Sequence, residues 1–221
     1  MIDPDELNLV KQIKEINSFT EIDRKHLSNN DLIANNSLQF LGKLSSVQTR
    51  KQWLQHIIDE TTWEESGYEA FGRWFDLPRQ QSWVAEPSLK YRYSDNLLAN
   101  RPWSDLLLTI KQEVEQLCSS DFNSVLLTLY RHGNDSVDWH CDDELELGSN
   151  PIIASLSLGE SRYFCIKHKQ SHRVQKIVIE DGDLWLMHPD FQRDWLHAIL
   201  PEHAEKQLRL NLTFRKVYPA P

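Results

Sequence analysis

Asp138-Trp139-His140-Cys141-Asp142-Asp143-Glu144 is the stretch on which the reading of this chain turns. It reads as a strand, and a strand alternates its side chains, so His140 and Asp142 leave the same face. Fifty-five residues beyond Asp142 stands His197, followed by Arg209-Leu210-Asn211-Leu212-Thr213-Phe214-Arg215. Two imidazoles and one carboxylate on one face are the donor set of a non-haem Fe(II) site with open positions. A rival pair, His188-Pro189-Asp190, is rejected. Pro189 interrupts a strand, and His188 is too close to His197 to leave room for an intervening sheet.

Working outward, Arg209, Asn211, Thr213 and Arg215 share one face of their strand, while Leu208, Leu210, Leu212 and Phe214 share the other. A polar, cationic face opposite an apolar one is either a solvent face or the lining of a pocket. With the triad upstream, the pocket is favoured, and arginine suits a carboxylate because its planar fork pairs with both oxygens. Buried-type runs precede it at Ser124–Tyr130 and Ile152–Leu158, the second ended by Gly159. Arg162–Ile166 and Gln175–Ile179 alternate, and Asp181-Gly182-Asp183 marks a turn before Leu184–Met187. Several short strands with tight turns predict a β-sandwich or jelly roll, open at one end.

The N-terminal part has another character. Residues 1–60 read as helical and polar, with Leu7, Val10, Ile13 and Ile16, then Trp53, His56 and Ile57, at helix spacing. Residues 71–94 read as short strands and loops. An amphipathic helix follows Ser104, with Leu107, Ile110, Val114 and Leu117 on one face. The expected organisation is a helical N-terminal extension over 1–65 and a catalytic domain over 66–221, mainly β with flanking helices.

The 221 residues suit one domain with an extension. No apolar run approaches the roughly 20 residues of a membrane span. The acidic start, Met1 to Glu6, lacks the features of a secretory leader. Three cysteines without paired spacing point to a reducing, intracellular setting, cytoplasmic or nuclear. Cys141, between two candidate ligands, either oxidises or packs on the far face of its strand. The net charge of −9 argues mildly against a nucleic-acid partner, but the charge is uneven: residues 1–150 carry 14 basic and 25 acidic groups, residues 151–221 carry 10 and 8. Arg162, Lys167, Lys169, Arg173 and Lys176 fall in a stretch without acids, which either meets phosphates or is an ordinary solvated hairpin.

Several ordered motifs resemble the AlkB-like Fe(II)/2-oxoglutarate dioxygenases. They are residues 123–131 (NSVLLTLYR), Trp139-His140-x-Asp142-Asp143-Glu144, residues 151–159 (PIIASLSLG), Trp195-x-His197 and Arg209-x-Asn211-Leu212-Thr213-Phe214-Arg215. Phe71-Gly72-Arg73-Trp74 and Pro78-Arg79 also resemble members acting on alkylated DNA. The resemblance covers residues 70–217. It implies a double-stranded β-helix (jelly-roll) core and Fe(II) held by His140, Asp142 and His197. It implies 2-oxoglutarate held by Arg209 and Arg215, with Thr128, Tyr130, Asn211 and Thr213 beside it, and O2 as oxidant. The implied reaction is oxidative removal of N-alkyl groups, as from 1-methyladenine or 3-methylcytosine, with release of formaldehyde. The implied partner is alkylated DNA or RNA, met by a monomer.

For the substrate, the resemblance points to Tyr91 and Tyr93 as base-facing aromatics, Asp143 and Glu144 as readers of the exocyclic nitrogen, and Phe71 as a wedge. Core packing is the competing reading of the tyrosines. Two positions depart from the pattern: Thr128 stands where the family commonly has Asn, and Ala85 where it has Gly. The same oxygenase chemistry on a protein, lipid or small molecule is the alternative. A non-catalytic binding module is the third, and the intact triad and both arginines stand against it.

Overall fold

The computed structural model describes residue 11 and residues 19–64, 67–70, 73–90, 92–93, 96–202 and 204–219. The described chain runs β1 (Thr20–Ile22), β2 (Leu32–Ile33), β3 (Leu38–Lys43), α1 (Val47–Glu60), β4 (Gly67–Ala70), β5 (Arg73–Asp76), β6 (Gln80–Ala85), β7 (Arg92–Tyr93), β8 (Asn96–Leu97), β9 (Asn100–Arg101) and α2 (Asp105–Cys118). The second half is β10 (Ser124–Tyr130), β11 (Val137–His140), β12 (Ile153–Gly159), β13 (Arg162–His168), β14 (Val174–Ile179), β15 (Asp183–Met187), α3 (Pro189–Asp194), β16 (Trp195–Ile199) and β17 (Arg209–Arg215).

An eight-stranded sheet is ordered β2-β3-β15-β12-β17-β10-β6-β9, and a five-stranded sheet is ordered β1-β14-β13-β16-β11. Period-two alternation divides the larger sheet's side chains between two cores. On one face Val125, Leu127, Leu156, Leu210, Leu212 and Phe214 pack under Trp53 and Ile57 of α1 and Leu107, Ile110 and Val114 of α2. On the other, Phe40, Leu126, Tyr130, Trp185 and Met187 meet Phe164, Ile166, Trp195 and Ile199 of the smaller sheet. Because both faces are covered, β10 is buried at every position, as its unbroken apolar run implied. The jelly-roll expectation is met, with a helical layer behind it.

Three local readings are corrected. Residues 20–43 form no α-helix: apart from one short 3-10 turn at Arg24–His26 they run as strands and loops, β1 pairing with β14 and β3 with β15. The helical reading holds for α1, where Ser46 caps by accepting from the Thr49 N–H. The residues Leu7 to Ile16 lie outside those described. On α2 the buried stripe is Leu107, Ile110, Val114 and Cys118, whereas Leu117 is 50% exposed. A step of four from Val114 keeps the stripe in phase, and a step of three rotates Leu117 off it. Finally, the basic stretch is the β13–β14 hairpin, but it is not wholly solvated. Arg162 is buried on Glu202, Lys176 is buried over Tyr163, and Lys167 lies 4.6 Å from the Trp139 ring centre.

Gly159 shows how tightly the strand ends are built. Its φ is +87°, and a Cβ there would fall 2.5 Å from the Leu208 carbonyl oxygen. Among the described residues, no helix is long and apolar enough to cross a membrane.

Ile110, fully buried between α2 and the larger sheet, offers a direct check on this packing. Ile110→Ala is expected to cost about 2–5 kcal/mol in urea denaturation. A negligible loss would mean that α2 does not cover the sheet.

Candidate active site

The polar face of β17 opens between the two sheets. Arg209, Asn211, Thr213 and Arg215 line one cavity together with Thr128 and Tyr130 of β10, Ser155 of β12, and His140, Asp142 and His197. Register explains the grouping: Tyr130, Thr128 and Leu126 sit opposite Arg209, Asn211 and Thr213.

His140 and His197 are directly paired across β11 and β16, with ring centres 4.2 Å apart. Between the pairs Val137–Ile199 and His140–His197, β11 spends one residue more than β16. This bulge puts Val137 and His140, three apart, on the cavity side, while Trp139 packs beside Phe19 on the outer face. Asp142 is not on the strand, as the alternation argument supposed. β11 ends at His140, and Asp142 occupies the loop beyond, 1% exposed. Its N–H donates to Gln192 Oε1 at 2.9 Å. Its Oδ2 accepts from Arg215 Nη2 at 2.7 Å and from Nε at 3.3 Å.

The three side chains are suited to a cation. One ligand atom from each of His140, Asp142 and His197 lies within 4.8 Å of the others. Asp142 Oδ1 and His197 Nδ1 are buried with no hydrogen-bond partner among the described residues. His140 Nδ1 is 2.8 Å from the Asp138 carbonyl, the contact that sets the tautomer and leaves Nε2 toward Asp142. Burial, then the charge on His140, pushes the His197 imidazole down to about 3. Burial lowers His140 as well. Burial by itself would raise the Asp142 carboxyl, but Arg215, His197 and His140 outweigh it and hold Asp142 at about 2. At neutral pH the cluster is therefore an ionised carboxylate between two unprotonated imidazoles.

Arg209 forms the floor. It is fully buried, and burial lowers its guanidinium to about 10. Nε donates to Ser157 Oγ at 3.0 Å and Nη2 to Asn211 Oδ1 at 2.8 Å, while Nη1 has no partner among the described residues. Asn211 also accepts from Ser155 Oγ and donates to Thr213 Oγ1, which locks the row. The Tyr130 ring lies 5.0 Å from the Arg209 guanidinium and 5.6 Å from that of Arg162. A buried cation with an unused donor is a seat for a carboxylate.

Of the expected residues, the cavity gathers the triad, Thr128, Tyr130, Arg209, Asn211, Thr213 and Arg215. Arg215, expected on a co-substrate, spends at least two donors on Asp142. Asp143 and Glu144 do not line the cavity; Asp143 is exposed and accepts from Cys141 Sγ at 3.0 Å. Phe71 and Tyr91 lie outside the described residues, and of Tyr93 only the backbone, in β7, is described. Thr128 is 6% exposed opposite Asn211; Ala85 is buried at the end of β6, away from the cavity. Gln81, Ser155 and Arg79 also line the site. The hydroxyls of Ser155 and Ser157, two apart in an apolar strand, were a readable sign of the polar face. Arg79 Nη1 donates to the Ser136 carbonyl, and its Nε is buried without a partner among the described residues.

Two imidazoles and a carboxylate at the mouth of a jelly roll, above a buried arginine, define a non-haem Fe(II) oxygenase type of site. Residues 37–215 match the 2OG-Fe(II) oxygenase superfamily. The alpha-ketoglutarate-dependent dioxygenase alkB homolog 3 of Bos taurus is 41% identical over 158 residues, covering 66% of this chain and 54% of that protein. Its Homo sapiens counterpart is 37% identical over 179 residues, covering 76% and 62%. The DNA oxidative demethylase ALKBH2 of Mus musculus is 31% identical over 174 residues, covering 75% and 73%. A solved structure described as "The structure of OsALKBH1" superposes with a TM-score of 0.52 at 18% identity, covering 86% of this chain and all of that one, and supports the fold. The chain belongs to the AlkB-like group of the 2OG-Fe(II) oxygenase superfamily. Fe(II) and 2-oxoglutarate are that family's metal and co-substrate. The chain spans between half and two thirds of the length of the alkB homolog 3 relatives.

The electrostatics predict a pH response of the metal-free protein. Between pH 6.5 and about 3 the unfolded chain binds a proton at His197 that the folded state refuses, so stability falls as pH is lowered through that window. Below about 3.9, the unfolded carboxylate value, Asp142 adds to the loss in the same direction. Urea denaturation of the parent and His197→Gln across the window checks this. A parent slope no steeper than the variant's would contradict it.

Proposed function

We propose that this chain is an Fe(II)/2-oxoglutarate-dependent oxidative demethylase that removes N-alkyl groups from nucleic-acid bases such as 1-methyladenine and 3-methylcytosine. The observation that carries the reading is the pairing of two orphaned buried groups in one cavity: Asp142 Oδ1 among the imidazoles and Arg209 Nη1 on the floor. The relatives named as alpha-ketoglutarate-dependent dioxygenases and DNA oxidative demethylases support the choice of substrate.

In this reading His140, Asp142 and His197 hold Fe(II), and Arg209 receives the distal carboxylate of 2-oxoglutarate, with Tyr130, Asn211 and Thr213 beside it. When bound, iron and 2-oxoglutarate supply oxidation by O2 coupled to decarboxylation to succinate and CO2. The residues prepare that chemistry. Arg215 neutralises Asp142, so the Arg209 cation is in excess and the cavity favours an anion. Phe164 and Phe191, with ring centres 5.5 and 5.7 Å from that of His197, wall the triad from water. The substrate's N-methyl group becomes hydroxymethyl, and its C–N bond then breaks to give formaldehyde and the unmodified base. A base held in a duplex must leave the stack to reach such a cavity.

Mass spectrometry of an oligonucleotide carrying one 1-methyladenine, incubated with Fe(II), ascorbate and 2-oxoglutarate, tests the assignment. One methyl mass is expected to be lost, dependent on 2-oxoglutarate and abolished in His140→Ala and Asp142→Ala. Succinate formation without demethylation would move the substrate outside nucleic acid. Full activity in both variants would remove the triad.

A further inference from the structure

We propose that Gln192 is a positioning residue that holds Asp142 in its ligand geometry; this rests on the reading of Asp142 as an iron ligand. β11 stops at His140, so no neighbouring strand takes the buried Asp142 N–H. A buried N–H left without an acceptor is costly and rare. Gln192, fifty positions later and 2% exposed, supplies the acceptor through Oε1 at 2.9 Å. The amide cannot be turned round. Its Nε2 donates to Met187 Sδ at 3.2 Å, and a flip would set two donors against each other at Asp142.

Gln192 is itself anchored. It lies on α3, between β15 and β16, next to Phe191, which packs beside His197. Lys169 Nζ donates to the Gln192 carbonyl at 2.8 Å and to Cys141 Sγ at 3.2 Å. One lysine thus ties α3 to the residue preceding Asp142. Asp142 is gripped at both ends, its backbone by Gln192 and its Oδ2 by Arg215, which leaves Oδ1 for a metal. Gln192 does not line the cavity, so its action on the site passes through Asp142.

The test compares Mn(II) binding, a redox-inert stand-in for Fe(II), in the full-length parent, Gln192→Leu and Asp142→Ala, with free Mn(II) read by electron paramagnetic resonance. Gln192→Leu is expected to unfold cooperatively yet bind Mn(II) about ten- to a hundredfold more weakly. Asp142→Ala is expected to lose more. A merely structural glutamine would lower stability and leave the affinity of the folded fraction unchanged. Parent-like affinity in Gln192→Leu, with loss in Asp142→Ala, overturns the proposal and leaves Asp142 a ligand. Parent-like affinity in Asp142→Ala overturns both. Should Gln192→Leu fail to fold, amide exchange in the unaltered protein decides. Exchange at Asp142 as slow as in the strands supports the clamp, and exchange at an open loop's rate overturns it.

Discussion

The buried ion pair between Asp142 and Arg215 is the interaction on which the site depends. A carboxylate 1% exposed to solvent survives ionised only beside a compensating charge, and Arg215 Nη2 at 2.7 Å supplies it. The same pair joins the loop after β11 to β17, and so fastens the smaller sheet's loop to the centre of the larger sheet. With Asp142 neutralised in this way, the imidazoles can stay unprotonated. A dication can then displace no protons and meet three ready donors. Removing either partner would leave the other as an uncompensated charge in a dry interior, so truncation at either position is expected to lower stability.

β17 transmits this arrangement to the rest of the fold. Its even positions, Leu210, Leu212 and Phe214, are held by the helical layer, and its odd positions carry the two arginines, Asn211 and Thr213. A slip of one residue would put the cations into the hydrophobic layer and the leucines into the cavity. The double pairing of β17, with β10 on one side and β12 on the other, prevents that slip. The polar row of β17 is stable in the middle of a core because its side chains hydrogen-bond to Ser157, to one another and to Asp142.

Alternation made β17 and its pocket face readable, because a period of two needs only local information. The α2 stripe was readable for the same reason, apart from Leu117, where a three-residue step was taken in place of four. What escaped depends on partners far along the chain. β1 and β3 are short and polar enough to look helical, and they are strands because β14 and β15 offer them edges. The bulge before His140 has no local marker. Asp142 lies beyond the strand end, and its N–H finds its acceptor in Gln192, fifty positions away. The binding partner of Arg215 could not be told from its spacing, since a guanidinium on that face could reach either a co-substrate or the ligand loop.

In the proposed site the triad and Arg209 act on one bound pair, the metal and the dicarboxylate. An anaerobic titration of the protein with Fe(II) and 2-oxoglutarate, followed through the visible charge-transfer band of the chelated pair, reads this directly. The band is predicted to form in the parent, to be absent in Asp142→Ala, and to require about tenfold or more 2-oxoglutarate in Arg209→Met. A band of unchanged 2-oxoglutarate dependence in Arg209→Met, or none in the iron-loaded parent, would rule out that pairing.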